Sequence, residues 1–309
     1  MIRIPPYLQP NDTIGIVAPA GFMPFEKMET CINTFQDWGY SIQLGATTHS
    51  NSQNYFSGTD EERLNDLQNM LDDKNVKAIL CARGGYGLSR IIDQLSFKKF
   101  RKNPKWLIGY SDVTMLHAHV LTNYKFASLH APMAAAFNDV DINNPYIASI
   151  KDALEGRQAQ YACEMHPFNN PGRANAQLVG GNLTLIIHAI GTASEINTKN
   201  RILFLEDVGE YLYNIDRMFQ QLKRCGKLEK LAGLIIGGFT DVKDTERPFG
   251  KTAYEIIHEQ LKDYDYPVCF GFPVSHSNEN YALKIGFEYE LDVSETGVSL
   301  QEASDQEME

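Results

Sequence analysis

The feature that most limits the folds open to this chain is an alternation in its first 125 residues. Short apolar, β-branched runs take turns with stretches whose apolar residues recur at helical spacing. TIGIVAPAG (13–21) reads as a buried strand and loop, and FEKMETCINTFQDWG (25–39) as a helix. That helix carries Phe25, Met28, Cys31, Ile32 and Phe35 on one face and stops at Gly39. YSIQLG (40–45) is the next strand, followed by a helix over 58–73 with Thr59 or Asp60 as its cap. VKAILCA (76–82), a turn RGGYG and a short helix over 88–95 come next. KWLIGY (105–110) is another strand, and SDVTMLHAHVLTN (111–123) follows as helix. Strands alternating with helices predict a parallel sheet covered on both faces, an α/β fold. In such sheets ligands sit beyond the C-terminal ends of the strands. Two of those ends carry unusual residues: RGGYG after 76–82 and GYSD after 105–110.

The second half reads differently. A stretch over about 138–176 is rich in Asn, Asp, Pro and Gly, the composition of loops and linkers. It divides the chain into a first domain over 1–165 and a second, smaller and richer in strand, over 166–309. Two domains also match the length of 309 residues. The last strands alternate and read as partly antiparallel, and SDQEME at the C-terminus reads as frayed.

Net charge narrows the partners. With 28 Lys and Arg against 39 Asp and Glu, the chain stands at −11 and shows no basic stripe, which argues against nucleic acid. No apolar stretch approaches the ~20 residues needed to span a bilayer, and the N-terminus lacks the pattern of a secretion signal, so a cytoplasmic protein with no membrane partner is expected. The five cysteines are far apart and lack C-x-x-C spacing, so they read as small buried apolar residues and not as disulfides or zinc ligands.

Four stretches carry candidate chemistry. Ser111 stands where a strand gives way to a helix. A serine there is either a helix N-cap or a nucleophile held out of the sheet, with the first N–H groups of the helix aimed at a reacting carbonyl. A nucleophilic serine needs a base. Of the eight histidines, His117 and His119 lie six and eight residues into the same helix and do not turn back easily to its start. His188 and His258 fall in apolar helical patterns as core or boundary residues. His276 lies in FPVSHSNENYALKIG, a loop of small polar residues, where function concentrates. An acid to orient the base is offered by RILFLEDVGE, whose apolar run ends in Glu206 and Asp207. In ARGGYGLSR, Gly84 and Gly85 allow backbone to approach a ligand closely. Arg83 either forks onto a substrate carboxylate or makes a structural ion pair. The spacing of GGYG is not that of a dinucleotide fingerprint, and neither a phosphate loop nor H-E-x-x-H occurs. No cofactor or metal is called for.

Taken together these stretches resemble the LD-carboxypeptidases, serine peptidases that trim murein peptides and whose relatives include the microcin C immunity peptidases. GIVAPAG, ARGGYGLSRIID, IGYSDVTMLH, LHAPM, VGGNLTLI, LFLEDVGEYLYNIDRMFQQL and FPVSHSNENYALKIG carry the resemblance, over about residues 14–286. It implies Ser111 as nucleophile, His276 as base and Glu206 as its orienter, with oxyanion donors from the backbone N–H groups of Gly85 and Asp112. It also implies a first domain like that of class I glutamine amidotransferases, and a homodimer. The substrate implied is a murein tetrapeptide cut before its terminal D-amino acid, with Arg83 and Gly84 at the substrate. Two alternatives keep the same residues: hydrolysis of a peptide-nucleotide antibiotic, and an inactive relative that only binds peptides. The chain departs from the family in carrying Ser275, not Gly, before the histidine; Asn280 matches a common Asn. Asn182 reads as a helix cap and Glu210 as an ion-pair partner of Arg217.

Overall fold

A computed structural model describes residues 2–138, 141 and 144–303. The frayed end expected at 304–309 and residues 139–140 and 142–143 of the soft stretch lie outside the described residues. The described chain forms two compact units. Of the described residues, one comprises those up to Arg157 together with Tyr281–Ile285; the other comprises Gln158–Asn280 and 286–303.

The first unit follows the alternation read from the sequence. Its strands are β1 (Thr13–Val17), β2 (Ser41–Leu44), β3 (Val76–Cys81), β4 (Trp106–Gly109) and β5 (Ser128–His130). Its helices are α1 (Glu29–Asp37), α2 (Asp60–Asp72), α3 (Leu88–Ile91), α4 (Thr114–Tyr124) and α5 (Pro145–Leu154). β1 pairs in parallel with β2 and β3, β3 with β4, and β4 with β5. The central strands are apolar throughout because both faces are covered: Ile14, Ile16, Ile79, Leu80, Leu107 and Ile108 have no exposed surface. β3 and β4 are neighbours in register, Leu80 opposite Ile108. Their C-terminal exits, which carry RGGYG and GYSD, are therefore neighbours too.

The second unit contains β6 (Gln160–Cys163), β7 (Gly172–Asn182), α6 (Leu183–Ala189), β8 (Ile202–Val208), α7 (Leu212–Arg224), β9 (Gly233–Thr240), α8 (Ala253–Leu261) and β10 (Val268–Phe270). After β10 the chain forms β11 (Leu283–Ile285), β12 (Glu288–Ser294) and β13 (Gly297–Glu302). Among the described residues the sheet order is β10-β9-β8-β7-β12-β13-β6, with β7 to β10 parallel and β12, β13 and β6 antiparallel. The sequence reading assigned 281–285 to the second half. These residues instead belong to the first unit, where β11 (Leu283–Ile285) pairs antiparallel with β5 as the edge strand of the first sheet. The first unit ends at Arg157, not at 165, because β6 already pairs with β13.

The cysteines depart from the expectation in two places: Cys163 is half-buried and Cys225 exposed, while Cys31, Cys81 and Cys269 are buried. No described helix is long and apolar enough to cross a membrane.

Helix α2 begins with a reciprocal cap. Thr59 Oγ1 accepts from the Glu62 N–H at 3.2 Å, and Glu62 Oε2 accepts from the Thr59 N–H at 2.8 Å. Thr59→Ala should lower stability by about 1 kcal/mol, measured as a lower urea midpoint for the transition of the first unit. An unchanged midpoint would show that the cap contributes nothing.

Candidate active site

In the first unit, β4 ends at Gly109 and Ser111 follows with φ +62°, the left-handed region that non-glycine residues avoid. Holding it there costs on the order of 1–3 kcal/mol. Ser111 is not the N-cap that a serine at a helix start suggests. It is the first residue of a single 3-10 turn, Ser111–Val113, that leads into α4, and its side chain caps no N–H. A strained strand-to-helix turn of this kind can hold a side chain out of the sheet.

The neighbouring loop comes down onto it. A methyl group on Gly84 would lie 2.9 Å from Ser111 Cβ, 3.1 Å from its Oγ and 3.3 Å from the Asp112 nitrogen. Only a residue without a side chain brings this turn so close. Gly85 follows with φ +92°, and the hydroxyl of the exposed Tyr55 lies 2.9 Å from where its Cβ would be. Arg83 is exposed, and its Nη1 donates to the Phe22 carbonyl at 2.6 Å, in place of the structural ion pair considered for it.

His117 does reach back, though to the strand and not to the serine hydroxyl. Its Nε2–H donates to the Gly109 carbonyl at 2.8 Å. Burial pushes its pKa down to about 4, against a smaller opposing effect of that bond, so the ring is a neutral donor near pH 7. The same carbonyl accepts the Ala131 N–H at 3.2 Å. The exit of β4 is thereby pinned two residues before Ser111.

In the second unit, Glu206 lies in β8 and has no exposed surface. Its Oε2 is 2.6 Å from His276 Nδ1. A carboxylate only accepts, so Nδ1 carries the proton and the neutral ring keeps its lone pair on Nε2. Burial pulls the His276 pKa down. The hydrogen bond to Glu206 and the charges of Glu206, Asp207 and Asp241 outweigh it, and the net shift is upward. Asp207, the other acid considered, faces a different task. It accepts from Asn182 Nδ2 at 2.8 Å and from Thr184 N and Oγ1 at 2.9 Å, at the start of α6. Burial first, then the Glu206 charge, push its pKa up to about 6 against these bonds.

Two glycines let the histidine loop reach Glu206, and the sequence reading gave them no role. The β8–β9 register shifts between Leu205 and Asp207, a bulge at Glu206. Opposite it lie Gly237 and Gly238. A Cβ at Gly237 would stand 2.2 Å from the Val274 carbonyl oxygen and 3.3 Å from Glu206 Cβ; one at Gly238 would stand 2.5 Å from Ser275 Cβ. The Gly238 N–H donates to the Val274 carbonyl at 2.9 Å. Ser275 stabilises the loop: its hydroxyl accepts from the Ser277 N–H at 3.0 Å and donates to the Glu279 carbonyl at 3.0 Å.

Asn182 caps α6, accepting from the Leu185 N–H at 3.2 Å. Glu210 accepts from Asn214 Nδ2 at 2.9 Å and lies 3.1 Å from Thr184 Oγ1, whose one proton it shares with Asp207; it does not pair with Arg217, whose guanidinium lies over the Tyr213 ring. His258 is half-buried, and His188, expected at the core or its boundary, is exposed. Among the described residues no cluster of His, Cys, Asp and Glu is arranged to hold a metal ion.

Residues 14–131 match the model of the LD-carboxypeptidase N-terminal domain, and residues 175–291 that of the LD-carboxypeptidase C-terminal domain. The chain belongs to the LD-carboxypeptidase family. A probable murein peptide carboxypeptidase of Bacillus subtilis (strain 168) is 35% identical over 294 residues, 94% of this chain and 92% of that one. Among solved structures, the muramoyltetrapeptide carboxypeptidase from Oxalobacter formigenes is similar with a TM-score of 0.86 at 25% identity, over 96% of this chain and 100% of the other. The microcin C7 self-immunity protein in complex with aspartyl sulfamoyl adenosine shares the fold of this LD-carboxypeptidase-family chain. Its TM-score is 0.85 at 22% identity, over 99% of this chain and 100% of the other.

Removing the Glu206 charge removes the largest influences that raise the His276 pKa and leaves burial, which lowers it. Glu206→Gln should therefore move the His276 titration midpoint to lower pH, followed by NMR of the ring C–H groups. A midpoint that stays or rises would contradict the pairing.

Proposed function

We propose that this protein is a serine L,D-carboxypeptidase. It hydrolyses the amide bond between the L-configured centre of a diamino acid and the terminal D-amino acid of a murein tetrapeptide, in peptidoglycan recycling. Ser111 is the nucleophile, His276 the general base and Glu206 its orienter. The observation that carries the reading is the 2.6 Å contact of a fully buried Glu206 with His276 Nδ1, which leaves Nε2 as the proton acceptor. The strained placement of Ser111 beside Gly84 supports it from the first unit.

In this mechanism His276 Nε2 takes the Ser111 hydroxyl proton as Oγ bonds to the substrate carbonyl carbon. The negative charge that develops on the carbonyl oxygen is received by the backbone N–H groups of Gly85 and Asp112. The imidazolium, stabilised by Glu206, gives its proton to the departing nitrogen as the C–N bond breaks, and the D-amino acid leaves. Water then loses a proton to His276 and attacks the acyl ester. Ser111 recovers its proton and the shortened peptide leaves as a carboxylic acid. Arg83, an exposed residue, holds the terminal carboxylate of the D-residue. We assign the protein to the cytoplasm as a homodimer, on its resemblance to the family.

Ser111→Ala should lower kcat on an L,D-tetrapeptide by at least about a thousandfold with the urea transition unchanged; near-wild-type turnover would overturn the nucleophile assignment. The same assay run with a peptidyl-nucleotide conjugate tests the substrate. A higher kcat/KM on the conjugate would reassign the protein to antibiotic hydrolysis.

A further inference from the structure

The acyl-transfer steps use the backbone of Asp112 and leave its side chain without a role. That side chain is 1% exposed and lies one residue after the nucleophile. A carboxylate buried there costs several kcal/mol unless it is paired and hydrogen-bonded. Its Oδ2 accepts the Leu88 N–H at 2.9 Å. Arg63, on α2 and without exposed surface, donates from Nη1 to the Gly87 carbonyl at 3.2 Å. The Gly87 C=O and the Leu88 N–H belong to one planar peptide group. That group is therefore gripped at both ends, its carbonyl by a cation and its N–H by a carboxylate. Both bonds polarise the peptide in the same sense and strengthen one another.

Arg63 is itself held. Nη1 also donates to the Pro19 carbonyl at 2.7 Å and Nε to the Gly58 carbonyl at 3.3 Å, Asp60 pairs with Nη2, and the Phe56 ring lies 4.6 Å from the guanidinium. The gripped peptide closes the Gly84–Gly87 turn, whose start lies against Ser111 and the Asp112 nitrogen.

We propose that Asp112 and Arg63 are positioning residues which, by clamping the Gly87–Leu88 peptide, hold the Gly84–Gly85 turn at the distance from Ser111 that oxyanion binding requires. The proposal rests on Ser111 being the nucleophile. It adds that the oxyanion site is assembled by charge and not by loop geometry alone. A pH dependence follows. Burial pushes the Asp112 pKa up to about 6, while the Leu88 N–H, the Arg63 charge and the Gly87 N–H pull it back. The titratable groups facing it are Arg63 from α2 and the Cys81 thiol at the end of β3. That thiol is pushed up to about 12, by burial and then by the Asp112 charge, and so stays neutral. The Asp112 carboxylate is charged well above pH 6, half protonated near that value and neutral well below it, so the clamp loses its charge as pH falls through about 6.

The test compares Asp112→Asn, which keeps an acceptor of the same shape, with Asp112→Ala, in steady-state kinetics on the tetrapeptide across pH. Asp112→Ala should lower kcat about a hundredfold, the scale of losing one oxyanion donor, with KM within about threefold. Asp112→Asn should lower kcat by about tenfold, partway to that loss, and remove from the acid limb the ionisation near pH 6, leaving that of His276. A kcat at wild-type level in Asp112→Asn with an unaltered acid limb would overturn the clamp, as would a loss confined to KM in either variant. A merely structural role would lower the melting temperature and leave kcat per folded molecule unchanged. If Ser111→Ala remains active, the nucleophile reading fails. If Ser111→Ala is dead while both Asp112 variants turn over normally, the clamp alone fails.

Discussion

A carboxylate with no exposed surface has to be paired, and in the second unit the pairing of Glu206 with His276 sets the demands on everything around it. The bulge in β8, the bare backbone of Gly237 and Gly238 and the serine-bridged loop at 275–279 each serve to bring an imidazole to within 2.6 Å of a buried acid. Given an acceptor-only partner, the ring has one tautomer, and the tautomer decides which nitrogen can take a proton. Asp207, the next residue, is held in a different way, by four hydrogen bonds that stabilise its carboxylate and fasten it to the start of α6 and to its own strand. Two adjacent acids are thus given separate tasks by their surroundings, one toward the histidine and one toward a helix.

The first unit solves a related problem with backbone. Parallel strands deliver their chemistry at their C-terminal ends. β3 and β4 are adjacent, so the glycine turn and the serine turn meet without any long loop. The strain at Ser111 persists because its surroundings over-determine it. His117 and Ala131 hold the strand exit from one side, and the Gly84 backbone closes the other.

Much of this was legible in the sequence, for physical reasons. Buried parallel strands must be apolar along their whole length, so 13–17, 76–81 and 106–109 stood out, and their abrupt ends marked Ser111 and the glycine pair. A polar cap at Thr59 or Asp60 marked the start of α2, and the structure places it at Thr59. What stayed hidden depends on contacts between distant segments. YALKI at 281–285 has the same alternation whichever sheet it joins, so its return to β5 left no mark. GG at 237–238 reads as a turn or bulge until the loop over it is known. Glu206 and Asp207 are equivalent by spacing, so only the family resemblance named Glu206; the bulge that gives the two acids different partners left no mark in the sequence. His117 was set aside because a helix carries it away from Ser111, yet the strand that precedes the serine lies within its reach.

The central claim is that the base held by Glu206 is the base that activates Ser111. It is tested most directly by measuring the rate at which a fluorophosphonate labels Ser111 as a function of pH, beside the NMR titration of His276 in the same protein. The account predicts that labelling is slow where His276 is protonated and rises with pH through the His276 midpoint, and that the two curves move together in Glu206→Gln. A labelling rate that ignores the His276 titration would contradict it.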